Sequence, residues 1–254
     1  MKIASWNVNS LRVRLPQVLK WLAMQNPDVL ALQELKQVDA AFPVAAFTEL
    51  GYQAVFSGQK TYNGVAVLAR EDCTQVETTF PHFPDEQKRL LATTIGDIRL
   101  INIYVPNGQS VGSDKYEYKL LWLTHLYEYL QQALSQYPKV VVVGDFNIAP
   151  QDADVYEPLL WQDSVLCSPA ERLALQKIFS LGFVDCFRLF SQPPQTFSWW
   201  DYRTFAFQGN RGLRIDLMLA NSQMASSVDK CWVDIAPRAW LQPSDHAPVV
   251  LTCG

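Results

Sequence analysis

The chain has 254 residues, 49% of them hydrophobic and 12% aromatic, which is enough to bury a large core. This composition fits one large α/β domain at least as well as two small ones. The formal net charge of −4 argues against a protein whose whole surface is positive for binding nucleic acid, although a local patch of arginine and lysine could still hold a phosphate backbone.

The sequence carries no signal for secretion or membrane insertion. The first apolar run is too short for a signal peptide and already contains Asn7 and Asn9. No apolar run approaches the ~20 residues that span a bilayer. The five cysteines are scattered and form no C-x-x-C motif, so we expect reduced thiols rather than a structural zinc site. These features predict a cytoplasmic protein that does not bind a membrane.

Helical and extended patterns alternate along the chain without repeats or a clear linker. Apolar spacing and capping residues predict helices at 15–23, 42–50 and 116–134, and one that begins at Ser168 and ends at Gly182. Further strands are predicted at 52–56, 64–69, 197–200, 214–220, 231–235 and 249–252. Strand-rich stretches in both halves favour two stacked sheets with helices outside, since a doubly wound sheet would have more regular βαβ spacing.

Polar side chains of a narrow chemical range stand at the boundaries of six apolar segments. Each boundary carries an Asn, Glu, Tyr, Asp or His, a set typical of metal binding and proton transfer. These residues are Asn7, Glu34, Tyr104, Asp145 with Asn147, Asp216, and His246. Six independent turns would not require this set, so we expect the six segments to converge on one cleft.

The stretch 139–147 shows the pattern most clearly. The four valines at 140–143 favour a strand that is covered on both faces, because a half-exposed strand would alternate with polar residues. Asp145 and Asn147 follow Gly144 and, being two residues apart in extended backbone, point to the same side. Taken alone, a tight turn is an equally good account of Asp145 and Asn147.

The motifs of several enzyme classes are missing from the sequence. There is no P-loop, no G-x-G-x-x-G and no G-x-S-x-G nucleophile elbow. An oxygen-rich set with one imidazole, His246, remains, although a surface ion pair with Asp245 is an equally good account of that histidine alone. Carboxylate and amide oxygens suit Mg²⁺ or Mn²⁺, which favours metal-assisted attack of water on a phosphate ester.

Six motifs occur in an order that resembles a known family. They are Ser5-Trp6-Asn7-Val8-Asn9, Leu32-Gln33-Glu34, Tyr104-Val105-Pro106-Asn107-Gly108, Gly144-Asp145-Phe146-Asn147-Ile148-Ala149-Pro150, Asn210-Arg211-Gly212-Leu213-Arg214-Ile215-Asp216 and Ser244-Asp245-His246-Ala247-Pro248. Together they resemble the exonuclease III type of AP endonuclease, in the endonuclease/exonuclease/phosphatase superfamily. The resemblance runs from the first strand to the last.

This resemblance implies a fold and an activity. The fold is a four-layered, DNase I-like α/β sandwich, in which two packed mixed β-sheets are flanked by helices, and residues 1–254 form one domain. The activity is magnesium-dependent hydrolysis of the DNA backbone 5′ to abasic sites, with 3′-end processing and 3′-5′ exonuclease activity; Mn²⁺ is a substitute. The implied partner is double-stranded DNA with abasic sites or blocked 3′ ends, bound by a monomer.

The resemblance also implies roles for individual residues. The metal ligands would be Asn7, Glu34, Asp145, Asn147 and Asp245, and the catalytic residues Tyr104, Asp145, Asn147, Asp216 and His246. Asp145 would orient and deprotonate the attacking water, and Asn147 would donate to the scissile phosphate. His246 would contact the phosphate while Asp216 fixes its tautomer.

A second group of residues would bind the substrate. Trp199, Leu213 and Ile215 match positions that wall the pocket for a flipped-out sugar without its base, and flipping is least costly where the base is already missing. Asn107 would contact a phosphate. Arg211 and Arg214 are candidate backbone contacts, and solvated surface is an equally good account of Arg211.

Two positions depart from the family pattern. Leu35 stands where many members have threonine, which could alter hydrogen bonding around Glu34. Asn9 stands where some relatives carry an acidic residue, so the sequence does not fix the number of bound metals. The alternatives are a superfamily phosphodiesterase for lipids, inositol phosphates or undamaged DNA, and a DNA-binding module without activity; the complete motif set argues against the latter.

Overall fold

Two six-stranded β-sheets pack face to face in the computed structural model, which describes residues 1–254. The strands are β1 Lys2–Asn7, β2 Val29–Gln33, β3 Gln53–Ser57, β4 Val65–Ala69, β5 Thr74–Glu77, β6 Leu90–Ile95, β7 Ile98–Tyr104, β8 Lys139–Asp145, β9 Phe183–Asp185, β10 Asp216–Asn221, β11 Val228–Val233 and β12 Val249–Cys253. The first sheet has the order β11-β12-β1-β2-β4-β3, and the second has the order β5-β6-β7-β8-β10-β9.

The chain forms six helices, four of which cover the outer faces of the sheets. The six are α1 Leu11–Gln25, α2 Val44–Thr48, α3 Asp114–Gln136, α4 Pro158–Trp161, α5 Pro169–Ser180 and α6 Ser222–Ala225. Helices α1 and α2 pack on the first sheet through residues such as Trp21 and Phe47. Helices α3 and α5 pack on the second sheet through Trp122 and Leu175. The predicted sandwich of two mixed sheets between helices is therefore confirmed.

The valines of β8 show how the sequence produces these layers. Val141 and Val143 face the first sheet, in the apolar cluster between the sheets. Val140 and Val142 point the opposite way, toward α3 and α5. All four side chains are fully buried, so an uninterrupted apolar run is what this central strand requires.

The strand predicted at 197–200 is wrong. These residues lie in a loop that makes only isolated bridges, from Trp199 to Leu213 and to His246. Aromatic residues favour strands, but here they fill the space between loops at the sheet edge. The strand predicted at 214–220 begins at Asp216, so this carboxylate stands at the first position of β10.

One edge of the sandwich collects the ends of strands from both sheets. The parallel pairs β1/β2 and β7/β8 bring Asn7, Gln33, Tyr104 and Asp145 to that edge. The antiparallel strand β10 begins at the same edge, where Asp216 is the register partner of Asp145. Since β12 runs antiparallel to β1, the segment that precedes it also reaches the edge. None of the helices combines the length and apolar character needed to cross a bilayer.

Gly144 allows β8 to approach β7 closely just before Asp145. Its φ is +141°, and a Cβ placed there would lie 1.9 Å from the carbonyl oxygen of Ile103. We expect Gly144→Ala to lower the free energy of unfolding by roughly 3–5 kcal/mol, because strain and a backbone collision add. Urea-induced unfolding measures this loss.

Gly112 provides the matched control for this prediction. It also has a positive φ, +79°, but a Cβ placed there would have no neighbouring atom within 4 Å. Gly112→Ala should therefore cost only about 1 kcal/mol, from backbone strain alone. If Gly144→Ala and Gly112→Ala lower the free energy of unfolding equally, the close approach of β7 and β8 is not the reason for glycine at position 144.

Candidate active site

A buried histidine lies between two buried carboxylates at the shared sheet edge. The imidazole Nδ1 of His246 lies 2.9 Å from Oδ2 of Asp216, and Nε2 lies 3.8 Å from Oδ2 of Asp145. Ser198 donates its hydroxyl to the same Asp216 oxygen at 2.6 Å and accepts the backbone N–H of Asp216. The histidine is thus held in one orientation, with its second nitrogen turned toward Asp145.

The charges around His246 decide its protonation. Burial disfavours the imidazolium, but the carboxylates of Asp216 and Asp145 outweigh that cost and raise the pKa of His246 to about 10. Burial, together with the negative charges of Asp216 and Glu34, raises the pKa of Asp145 to about 7, although His246 opposes this shift. The site therefore holds a protonated imidazole beside a carboxyl group that is well placed for proton transfer near neutral pH.

Glu34 and Asp145 meet across the two sheets through one amide. The Nδ2 group of Asn7 donates to Oε1 of Glu34 at 2.8 Å and to Oδ2 of Asp145 at 2.9 Å. Lys36 lies 2.8 Å from the second oxygen of Glu34. Burial alone would raise the pKa of Glu34, but Lys36 and Asn7 hold it below its ordinary value.

Two carboxylates form a site that suits a metal ion, with the imidazole beside them. One oxygen each of Glu34 and Asp145 and one ring nitrogen of His246 lie within 4.8 Å of one another. The protonated imidazole has no lone pair for a metal, so the two carboxylates are the candidate ligands. The set is rich in oxygen, as hard divalent cations prefer. The two carboxylates come from different sheets, face one buried space and are joined by the amide of Asn7. The residues therefore fit a divalent cation.

Asn147 connects the carboxylate of Asp145 to the loop after β7. Its backbone N–H donates to Oδ1 of Asp145 at 2.8 Å, and its side-chain Nδ2 donates to the carbonyl of Val105 at 3.0 Å. The Nδ2 group of Asn107 in turn donates to Oδ1 of Asn147 at 3.2 Å. The two asparagines thus form one polar surface beside Asp145.

Tyr104 presents its hydroxyl group to the same space. Burial and the neighbouring carboxylates of Glu34 and Asp145 raise the pKa of Tyr104, so the phenol stays protonated and remains a donor. Its ring stacks under the guanidinium of Arg89, 4.6 Å from the ring centroid, and Arg89 also donates to the Tyr104 carbonyl. Arg89 therefore fixes both ends of the tyrosine.

A cavity of about 300 Å³ opens beside these groups. Its polar wall includes Glu34, Tyr104, Asn107, Asp145, Asn147 and His246. Its apolar wall contains Trp161, Val165, Leu166, Trp199 and Ile215. The rings of Trp161 and Trp199 meet edge to face, with 6.5 Å between their centroids. This shape suits a small, base-free sugar next to a phosphate.

A second, polar groove of about 780 Å³ extends from Glu34 and Tyr104 in the other direction. Lys36, Arg89 and Lys115 line it, while Glu34 is its one acidic residue. The groove is therefore locally positive although the chain as a whole is negative. Gln59, Asn63 and Gln87 add hydrogen-bonding groups along it, and such a groove suits a phosphate backbone.

Several of the predicted substrate-binding residues lie outside the cavity. Leu213 is fully buried in an apolar cluster under the cavity and does not line it. Arg214 is also buried and pairs with Asp154 at 2.7 Å and with Asp185 at 2.7 Å, so it is not a backbone contact. Arg211 lies on the far side of Trp199, in a neighbouring cavity.

The contacts of Asp245 and of Asn9 and Leu35, the two residues that depart from the family pattern, are also defined. The carboxylate of Asp245 accepts from Nδ2 of Asn9 at 2.9 Å and from Nε1 of Trp199 at 3.0 Å, so it holds the cavity wall and lies outside the three-residue cluster. Asn9 bridges Asp245 and Lys36. Leu35 is fully buried in the apolar cluster under α1 and makes no polar contact with Glu34 through its side chain.

Five residues of the cavity wall were not predicted from the sequence. Trp161, at the end of the short helix α4, and Val165 and Leu166 come from the segment between β8 and α5, and Asp201 and Arg203 come from the segment before β10. None belongs to a motif at a strand end. The only available signal was the aromatic and apolar content of the 158–166 segment, which is unusual for an otherwise polar loop.

Comparison with known proteins finds a family and relatives that match almost the whole chain. The family described as "Endonuclease/Exonuclease/phosphatase family" matches residues 4–246. Exodeoxyribonuclease III of Haemophilus influenzae is 35% identical over 262 aligned residues, which cover 98% of this chain and 98% of that protein.

Two solved structures share the fold closely. The 3′ phosphatase NExo from Neisseria, bound to a product DNA hairpin, is 44% identical, with a TM-score of 0.98 over 100% of this chain and 99% of that chain. An AP endonuclease from Archaeoglobus fulgidus is 39% identical, with a TM-score of 0.95 and the same coverage, 100% and 99%. The resemblance found in the motifs is confirmed.

NMR titration of the metal-free protein tests the protonation state of His246. We expect its imidazole to remain doubly protonated at pH 8, and Asp216→Asn to lower its pKa by about 1–3 units, because the nearest negative charge is lost. The folded pKa lies above the unfolded value, so the stability contributed by His246 is complete below pH 6.5 and is lost as the pH rises through about 10. Asp229→Asn, at an exposed position, is the control. A neutral imidazole at pH 8 would contradict the assignment.

Proposed function

The chain belongs to the endonuclease/exonuclease/phosphatase family, and we propose that it is a DNA-repair phosphodiesterase that hydrolyses the DNA backbone 5′ to abasic sites and also processes 3′ ends. One observation carries the proposal. Glu34, Asp145 and His246 come from distant parts of the chain, yet their ligand atoms lie within 4.8 Å of one another at the mouth of a cavity of sugar size.

We propose Mg²⁺ as the metal, with Mn²⁺ as a substitute. Glu34 and Asp145 would hold it, with the carbonyl oxygen of Asn7 within reach after rotation of the amide, and Asn147 and Asp245 nearby. The bound ion would neutralise phosphate charge and polarise the scissile P–O bond. The donor set supports this choice, because oxygen ligands favour magnesium over zinc.

Asp145 is the proposed base. Its carboxylate would orient a water molecule and accept one of its protons as the water oxygen bonds to phosphorus and the P–O3′ bond breaks. The leaving O3′ would take a proton from solvent water, so the products would be a 3′-hydroxyl end and a 5′-phosphate on the abasic sugar. The geometry supports this role, because Asp145 lines the cavity and the donors of Asn7 and Asn147 hold its carboxylate in one orientation. Asn147, exchanging its bond to Asp145 for one to the phosphate, would stabilise the growing negative charge.

His246 and Tyr104 are proposed to hold the phosphate. Asp216 binds Nδ1 of His246, so the protonated Nε2 faces the cavity and can donate to a phosphate oxygen. Tyr104 supplies a neutral donor from the opposite side. The imidazolium of His246 and the phenol of Tyr104 are held in place, so they would stabilise the pentacoordinate transition state without moving during the reaction.

The cavity and the groove support a damaged duplex as substrate. The apolar wall formed by Trp161, Trp199 and Ile215 would accept a sugar without its base, which is the nucleotide that leaves the helix at least cost. The basic groove would hold a flanking strand. We further propose that residues 1–254 act as one domain and as a monomer. The five free thiols agree with a location in the cytoplasm.

Incubation with a duplex that carries one synthetic abasic site tests the function. We expect incision 5′ to the site in Mg²⁺, none in excess EDTA, and recovery when Mg²⁺ is restored. The undamaged duplex is the control for substrate choice, and a duplex with a 3′-phosphate measures end processing. Binding without incision under all metal conditions would overturn the proposed activity and indicate a binding module.

The role of Asp145 gives a further prediction. Asp145→Asn should bind the abasic duplex with an affinity within a few-fold of wild type, while kcat falls by about 10²–10⁴-fold, because the amide cannot accept the proton from water. Asp152→Asn is the matched control, since Asp152 is an exposed carboxylate bound to Arg172. Near-normal turnover in Asp145→Asn would remove Asp145 from the proposed role.

A further inference from the structure

A fully buried ion pair lies beneath the candidate site, at Lys119 of α3 and Glu171 of α5. Neither side chain has any exposed surface. Neither residue faces the cavity, and the proposed mechanism uses neither. Buried ion pairs contribute little net stability on average, since desolvation offsets their attraction. The pair therefore requires an explanation other than general stability.

The remaining hydrogen bonds of Lys119 point to the site. Its ammonium group donates to the carbonyl of Asn147 at 2.6 Å and to the carbonyl of Asn107 at 3.1 Å, as well as to Glu171. These two carbonyls belong to the loops after β7 and β8, where no strand pairing is available to them. An ammonium group is suited to this position, because it offers three donors to three separate acceptors.

Glu171 extends the same network to the apolar wall of the cavity. Its carboxylate accepts the backbone N–H of Leu166 at 3.1 Å and the backbone N–H of Ser168 at 3.0 Å, which closes the capping box of α5. Leu166 and its neighbour Val165 line the cavity. One ion pair thus joins the Asn107 loop, the Asn147 loop and the Val165–Leu166 wall.

We propose that Lys119 is a positioning residue for the hydrolytic reaction, and that with Glu171 it fixes Asn107 and Asn147 relative to Asp145. This inference rests on the proposed function. Asn107 and Asn147 bond to each other through their side chains at 3.2 Å. Loss of Lys119 leaves both of their carbonyls without a donor, so the two loops shift. A shift of about 1 Å near the reacting atoms costs on the order of 10²-fold in rate.

Two variants separate positioning from stability. Lys119→Met removes the three donors and leaves Glu171 as an unpaired buried acid, which should lower the melting temperature clearly. The double variant Lys119→Met with Glu171→Gln has no unpaired charge, and glutamine also serves in a capping box, so most of the melting temperature should return. In both variants kcat on the abasic duplex should fall roughly 10–100-fold, with KM within about threefold of wild type.

The matched control removes another lysine–acid pair, one that involves the strand leading to Asp145. Lys139 and Asp97 form an ion pair at the opposite end of β8, 2.7 Å apart and partly exposed. Lys139→Met with Asp97→Asn should leave kcat and KM unchanged. If kcat of the Lys119→Met, Glu171→Gln variant returns together with its melting temperature, the pair acts only on stability and the proposal is wrong.

Amide hydrogen exchange tests the positioning without relying on activity. The N–H of Asn147 bonds to Asp145, and the N–H of Gln109 bonds to the side chain of Asn107 at 3.1 Å. Exchange at these two positions should rise at least tenfold in the double variant, while Val142 in β8 stays protected. Unchanged exchange at both would overturn the inference. Failure of the wild-type protein to incise abasic DNA would instead overturn the proposed function, and the exchange result would still decide what Lys119 does.

Discussion

The balance of charge around Asp145 and Asp216 is the constraint on which the site depends. The two carboxylates are register partners on β8 and β10, and both are buried. Two such charges are costly in a protein interior unless they are paired. The imidazolium of His246 supplies one positive charge between them. Glu34 adds a third carboxylate, and Lys36 pairs with one of its oxygens. Three carboxylates and two cations leave one negative charge, and the oxygens of Glu34 and Asp145 make the space suitable for a divalent cation.

The arrangement of strands in the sandwich brings these charged side chains together. Parallel strands end at the same edge of a sheet, and the two sheets present their polar edges side by side. Asn7 and Glu34 come from the first sheet, Asp145 from the second, and the amide of Asn7 joins them. The apolar cluster between the sheets holds these edges in a fixed relation, so side chains more than 100 residues apart meet within hydrogen-bond distance.

The sequence allowed the strand-end residues and the layers to be predicted, because both follow from local patterns. The valines of β8 and the helical spacing of α3 identify buried elements, and Asp145 is the last residue of β8. The walls of the cavity were harder to predict. Leu213 appeared to be a wall residue from its motif, yet it is buried below the cavity. Trp161, at the end of the short helix α4, and Arg203, in the segment before β10, line the cavity instead. Their positions depend on tertiary packing of irregular backbone, for which no periodic pattern exists.

Two buried cations of this protein lie beneath the irregular backbone around the cavity. Lys119 donates to the carbonyls of Asn107 and Asn147, in the loops after β7 and β8. Arg214 pairs with Asp154 and Asp185, which come from the segments on either side of α5. Strands and helices satisfy their own polar groups, whereas loops folded into the interior do not. Lys119 satisfies two such loop carbonyls with one side chain, and Glu171 balances its charge. The polar groups of the site therefore stand at strand ends, and buried ion pairs lie beneath the loops that complete it.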